Sequence, residues 1–163
     1  LAQVTTVPGR MELVDADAGR PLVVVDYAHT PGALEQALKA VCEHVSGRVF
    51  CVFGCGGERD TGKRPLMAAA AAKYADAIWI TDDNPRGEDP ATIVADILAG
   101  LPANTPASVE HDRGQAIAQA ISSAVAGDAV LIAGKGHETY QLIGGERRAF
   151  DDREAARRVL EAA

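Results

Sequence analysis

Four short segments carry most of the residues in this chain that could do chemistry: Asp26-Tyr27-Ala28-His29, Gly54 to Arg64, Asp82 to Arg86, and Gly134 to Glu138. Gly57-Glu58-Arg59-Asp60-Thr61-Gly62-Lys63-Arg64 fits the first seven positions of a phosphate-binding loop. The next position of such a loop is Ser or Thr, whose hydroxyl holds the magnesium ion that phosphoryl transfer needs. Arg64 stands there instead. An autonomous nucleotidase is therefore disfavoured, and the segment reads better as a Gly-rich loop offering Arg59, Lys63 and Arg64 to anionic groups. In Asp83-Asn84-Pro85-Arg86, Pro85 fixes one backbone angle and biases Asn84 toward an extended shape, so the loop is stiff. Arg86 carries a planar fork able to hold a carboxylate through two hydrogen bonds, and Asn84 can both donate and accept. The competing reading is a surface Arg86 paired with Glu88 or Asp89.

Gly134-Lys135-Gly136-His137-Glu138 has two glycines that let the backbone approach a ligand closely, amides that could form an anion nest, and a carboxylate for an ammonium group. The plainer alternative is a strand-to-turn connection with a solvated Lys and Glu. Asp26 and His29 stand together, but no Ser sits in a nucleophile elbow, so a Ser-His-Asp triad is not supported. His44 and His111 read as exposed. Cys42, Cys51 and Cys55 leave an odd count, and Cys51 and Cys55 stand four apart without a second pair or a nearby His. They are expected as reduced thiols of a cytoplasmic protein rather than a zinc site or a disulfide framework.

The elements that must position these segments alternate between two patterns. Leu22 to Val25, Arg48 to Phe53, Ala77 to Thr81, Ser108 to Glu110 and Ala129 to Ala133 read as strands, several apolar throughout as in sheets buried on both faces. Thr30-Pro31 caps and opens a helix carrying Leu34, Leu38 and Val41. Pro65 starts an alanine-rich helix through Met67 to Lys73. Asp89-Pro90 opens one with Ile93, Ile97 and Leu98 that stops at Gly100, and another runs from Asp112 to about Val125. Tyr140 to Ile143 and Arg148 to Phe150 read as a hairpin around Gly144-Gly145, and Asp151 or Asp152 caps a final helix. This alternation predicts an α/β fold: a doubly wound, mostly parallel, Rossmann-like sheet with helices on both faces. Ligands of such sheets bind outside the carboxyl ends of the strands, so the four chemistry-bearing segments should share one rim.

The bulk properties agree. The chain's 163 residues are one domain's worth, 47% hydrophobic and 24% charged, but only 4% aromatic. Its core must therefore be built from Ala, Val, Ile and Leu. A formal net charge of -7 repels phosphate backbones and argues against nucleic-acid binding. No apolar run approaches the roughly 20 residues that span a bilayer, so no membrane partner is expected. The start, LAQVTTVPGR, is no signal peptide, and its lack of Met is consistent with a chain that begins inside a longer protein.

Taken together, VPGRMELV, VVVDYAHTPGALEQAL, VFGCGGERDTGKRPLM, TDDNPRGEDP and LIAGKGHETYQ resemble the C-terminal domain of the Mur ligase family, and within it the MurE type. The resemblance runs from Gly9-Arg10 to the last helix. It implies a linker over 1–10 and an amino-acid-binding domain over 11–163, with the UDP-binding and central ATPase domains absent. By resemblance, the complete enzyme is a monomeric, cytoplasmic ATP-dependent ligase of peptidoglycan synthesis. It adds meso-diaminopimelate to UDP-N-acetylmuramoyl-L-Ala-D-Glu through an acyl phosphate, with ATP and Mg2+ held mainly by the central domain, so this chain alone should be inactive. The family pattern places diaminopimelate on Arg59, Asp83, Asn84, Arg86, Gly134 and Glu138, and ATP against Arg10, Asp26 and His29. It implies neither a catalytic residue nor a metal ligand here. Lysine-adding relatives differ at the last position of the Asp-Asn-Pro-Arg string, and a cationic lysine tip would be repelled by Arg86, so Arg86 favours diaminopimelate. Two other readings remain: a self-contained amino-acid- or nucleotide-binding module, and an amide ligase that adds lysine or builds folate polyglutamates. An upstream phosphate-binding loop in the same reading frame would exclude the first. The Asp-Asn-Pro-Arg string and the Arg59 loop argue against the second.

Overall fold

The computed structural model describes residues 7–15 and 17–163. Residues 1–6 of the expected linker lie outside them. In chain order the elements are β1 (Glu12–Asp15), β2 (Leu22–Asp26), α1 (Pro31–His44), β3 (Val49–Phe53), α2 (Lys63–Tyr74), β4 (Ala77–Ile80), α3 (Pro90–Leu98), β5 (Ala107–Val109), α4 (Arg113–Ser123), β6 (Ala129–Ala133), β7 (Tyr140–Ile143), β8 (Glu146–Ala149) and α5 (Asp152–Glu161). A six-stranded sheet has the order β1-β2-β6-β3-β4-β5, and β7-β8 form a separate hairpin. β2, β6, β3, β4 and β5 are parallel, and β1 alone runs antiparallel. The mostly parallel, doubly wound α/β sheet is as expected.

Alternation along the strands divides the core into two layers. Val24, Cys51, Phe53, Ile78, Ile80 and Leu131 face α1, α2 and α3. Val23, Val25, Phe50, Val52, Trp79, Val130 and Ile132 face α4 and α5. β3 and β6 are buried at every position, which is why they read as unbroken apolar runs. Burial pushes the Cys51 and Cys55 thiols up to about 12, so both are inert core residues.

Helix starts follow the capping chemistry. Thr30 accepts from the Ala33 amide, Asp89 from Ala91, Asp112 from Gln115 and Asp151 from Arg153. Asp151 is thus the cap of α5, and Asp152 is freed for a buried ion pair. Three boundaries differ from expectation. α2 begins at Lys63, ahead of Pro65, because Pro is tolerated anywhere in the first turn. The hairpin's second strand is the fully exposed Glu146–Ala149. β1 was not foreseen: ELVD is short, half-exposed and bulged between Leu13 and Asp15, so it lacks a strand's two-residue period.

Candidate functional site

The carboxyl ends of the parallel strands surround a cleft of about 460 Å3. After β2 it is lined by Tyr27, His29 and Thr30, and after β3 by Gly56, Arg59, Asp60 and Lys63. After β4 come Asp83, Asn84 and Arg86, and after β6 come Gly134 and Glu138. All four chemistry-bearing segments meet on one rim, at the place doubly wound sheets favour.

The loop after β4 is held in an unusual backbone shape. Arg86 has φ +55°, in the left-handed region that a side chain rarely adopts. The β7–β8 hairpin supports it: the Arg86 amide donates to Leu142 O at 2.9 Å, and the Gly144 amide donates to Arg86 O. The Arg86 guanidinium donates to Gly57 O at 2.9 Å and Asn84 O at 3.4 Å. Glu88 and Asp89 do not pair with it; Glu88 bonds Arg64, and Asp89 caps α3. Among the described residues neither Arg59 nor Arg86 has a carboxylate partner, so both guanidinium groups keep donors for an incoming anion.

The loop after β3 corrects the phosphate-loop reading. Arg64 does not face the cleft. Its side chain is wholly buried, donating to Glu88 at 2.8 Å, Asp96 at 2.9 Å and Gly56 O at 3.2 Å. Donating to Glu88 and then to Asp96 raises its pKa, so it is permanently charged. Glu88 in turn is pulled down to about 2 by Arg64 and the Glu58 amide. The Gly57 amide is committed to Asn84 O and the Glu58 amide to Glu88, so neither remains free to cradle a phosphate. A Cβ on Gly57 would lie 1.9 Å from Pro85 O, so the two loops touch backbone to backbone. Lys63 stays at the cleft, its Nζ donating to His29 O at 2.9 Å.

The floor is built from the last turn. Lys135 is fully buried rather than solvated. Its ammonium donates to Asn84 Oδ1 at 3.0 Å and lies 3.5 Å from Asp83 Oδ1 and 3.6 Å from Glu138 Oε1. Gly134 has φ +115°, and a Cβ there would come within 2.7 Å of Asp83 Oδ2. Beneath the floor, Arg113 is buried against Asp152 with bonds of 2.7 and 2.8 Å. It also donates to Ala133 O at 3.0 Å and Asp82 O at 3.4 Å, the carbonyls that open the two site loops. Lys135 and Arg113 were missed as site-building residues. Their sequence context gives no sign of burial, because both partners are distant in the chain.

Arg10, Asp26 and His29 group around Tyr27, at the side of the cleft. The Arg10 guanidinium lies 5.7 Å from the Tyr27 ring centroid, and the His29 ring 4.6 Å. His29 lines the cleft, whereas Arg10 and Asp26 do not. Asp26 accepts from the Met11 amide at 2.8 Å and the Ala28 amide at 2.7 Å, tying the entering chain to the end of β2. His111, expected as merely exposed, bonds Asp82 at 2.7 Å. Asp82's pKa is nonetheless raised, because burial outweighs that bond.

The family model described as "Mur ligase, glutamate ligase domain" matches residues 9–136, which span all four rim segments up to Gly136. The chain belongs to the Mur ligase family. Among Mur ligases it is 58% identical over 158 residues to the UDP-N-acetylmuramoyl-L-alanyl-D-glutamate–2,6-diaminopimelate ligase of Parasynechococcus marenigrum, covering 94% of this chain and 32% of that protein. It is 57% identical over 162 residues to the enzyme of that name from Xylella fastidiosa, covering 99% and 33%. A solved structure of a ligase with that name superposes with a TM-score of 0.90 at 48% identity, over 98% of this chain and 33% of that one. The Yersinia pestis folylpolyglutamate synthase/dihydrofolate synthase, solved with AMPPNP and a manganese ion, shares the fold at a TM-score of 0.64 and 24% identity, over 83% of this chain and 30% of that one. The chain thus spans about a third of the length of the relatives it matches.

Proposed function

We propose that this chain is the amino-acid-binding domain of a cytoplasmic, ATP-dependent ligase that adds meso-diaminopimelate to UDP-N-acetylmuramoyl-L-Ala-D-Glu. The observation that carries this reading is the charge pattern of the cleft. Arg59 and Arg86 hold unpaired guanidinium groups at one wall, while Asp83 and Glu138 stand over Lys135 at the other. An amino acid with carboxylate and ammonium groups at both ends complements such a set, whereas L-lysine leaves one guanidinium without its carboxylate.

In this reading the chain positions rather than activates. Arg59, Asn84 and Arg86 orient the carboxylates, Asp83 and Glu138 orient the ammonium groups, and Gly134 allows the close approach. The amine is thereby presented to a carboxylate activated elsewhere, where orientation lowers the barrier. Arg10, Asp26 and His29 are assigned to the ATP-facing edge beside Tyr27. The donor set fits a nucleotide there only in part, because Asp26 is already bonded to two amides. Arg64 replaces the hydroxyl that would hold a nucleotide's magnesium ion. ATP and its metal are therefore assigned mainly to a domain outside this chain, and the chain alone is expected to be inactive.

Calorimetry of meso-diaminopimelate and L-lysine on this chain and its Arg86→Ala variant tests the proposal. Diaminopimelate is expected to bind and L-lysine not, with affinity falling about a hundredfold in the variant, the scale of a lost charged hydrogen-bond pair. Equal binding of both amino acids, indifferent to Arg86, overturns it.

A further inference from the structure

Lys135 stands apart from the other cations at the cleft. Its side chain has no exposure, yet it does not line the cavity and cannot reach a ligand directly. What it touches is the underside of the site: Asn84 at 3.0 Å, Asp83 at 3.5 Å and Glu138 at 3.6 Å. A second donor meets the same Asn84 oxygen, the Leu142 amide at 3.0 Å. A lysine ammonium and a backbone N–H can only donate. The atom between them must be the carbonyl oxygen of Asn84, so Nδ2 is the atom left for the cleft that Asn84 lines.

We propose that Lys135 is the positioning residue that sets the polarity of this cleft. By holding the Asn84 carbonyl beneath the floor, it makes Asn84 a pure donor beside Arg86, where a ligand carboxylate lies. By standing between Asp83 and Glu138, it lets two carboxylates share the wall that receives an ammonium group. Removing it would leave the Asn84 carbonyl to the Leu142 amide and take away the ammonium that lies beside both acids. The same link joins the loop after β4 to the loop after β6. The inference rests on the ligand reading given above, but the Lys135 linkage can be tested without a ligand.

The ligand-free test is the 15N spectrum of the lysine ammonium groups in this chain. A Lys135 ammonium locked in the floor exchanges slowly and gives its own resonance, which is expected to shift or vanish in Asn84→Ala. In the full-length ligase, Lys135→Met is expected to raise the KM for meso-diaminopimelate at least about tenfold, leaving the KM for ATP within about twofold. Asn84→Asp keeps the oxygen that Lys135 and Leu142 use but loses the donor. It is expected to retain the Lys135 resonance and still weaken diaminopimelate binding about tenfold or more. This second variant keeps the claim exposed if Lys135→Met fails to fold. A Lys135 ammonium that exchanges like a solvated lysine, or an Asn84→Asp enzyme with unchanged KM, overturns the proposal. A wild-type enzyme indifferent to diaminopimelate overturns the ligand reading instead, and the ammonium spectrum then decides the Lys135 linkage alone.

Discussion

Two hollows differ in size and in what surrounds them. The larger, about 700 Å3, lies between the C-terminal ends of α4 and α5 and is walled by Ile121, Val125, Val159, Leu160 and their neighbours. The smaller, about 460 Å3, lies at the carboxyl ends of the strands and is walled by Arg59, Asp83, Asn84, Arg86 and Glu138. Volume favours the first, but chemistry favours the second. The larger hollow is walled mainly by apolar residues, and its two arginines, Arg20 and Arg158, are paired with Asp15 and Glu154. At the smaller one, buried Arg64, Arg113 and Lys135 tie the loops after β3, β4 and β6, and Lys63 ties in the loop after β2, so that unpaired guanidinium groups and carboxylates face one space. A site is marked by polar groups held at a cost in desolvation, since an apolar hollow can arise from imperfect packing alone.

The difference makes the two regions respond oppositely to substitution. The largest effect is expected beneath the smaller hollow. Arg113→Leu leaves Asp152 buried without its cation and should lower unfolding free energy by about 3–5 kcal/mol, read by urea denaturation. Arg113→Leu with Asp152→Leu should recover part of that loss, because no charge is then left unpaired. If the single variant is neutral, the buried pair does not hold the site loops.

A smaller effect belongs to the Arg64–Glu88 link. The Glu88 carboxyl is lowered from 4.5 to about 2 in the folded chain, so its stabilisation is complete above about 4.5. It is lost as pH falls from there through about 2. Wild type and Glu88→Gln should therefore differ in melting temperature at pH 6 and converge toward pH 2. A difference that persists at pH 2 would exclude ionisation of Glu88 as its source. The smallest effect is expected at the larger hollow. Val125 is 60% exposed, and Val125→Ser should change stability by no more than about 0.5 kcal/mol and diaminopimelate affinity not at all. A loss of affinity in that variant, measured by calorimetry, would reverse the ranking of the two hollows.

Much of this molecule was legible before its structure. Unbroken apolar runs marked β3 and β6, Thr30, Asp89 and Asp112 marked helix starts, and the alternation of elements placed the polar segments on one rim. These features are local: capping, periodicity and Pro or Gly geometry act within a few residues, so the sequence by itself determines them. β1 escaped because a short, half-exposed, bulged edge strand has no periodic signature. The roles of the cations were decided only by tertiary structure. Arg59, Lys63 and Arg64 stand within one loop, yet Arg59 lines the cleft, Lys63 ties it to His29, and Arg64 is buried against Glu88 and Asp96. For Lys135 the plainer reading of its turn was a solvated side chain, and only the fold brings Asn84, 51 positions away, within reach of it. Whether a charge faces a ligand or a buried partner depends on which distant carboxylates the fold places within reach, and no spacing along the chain records that.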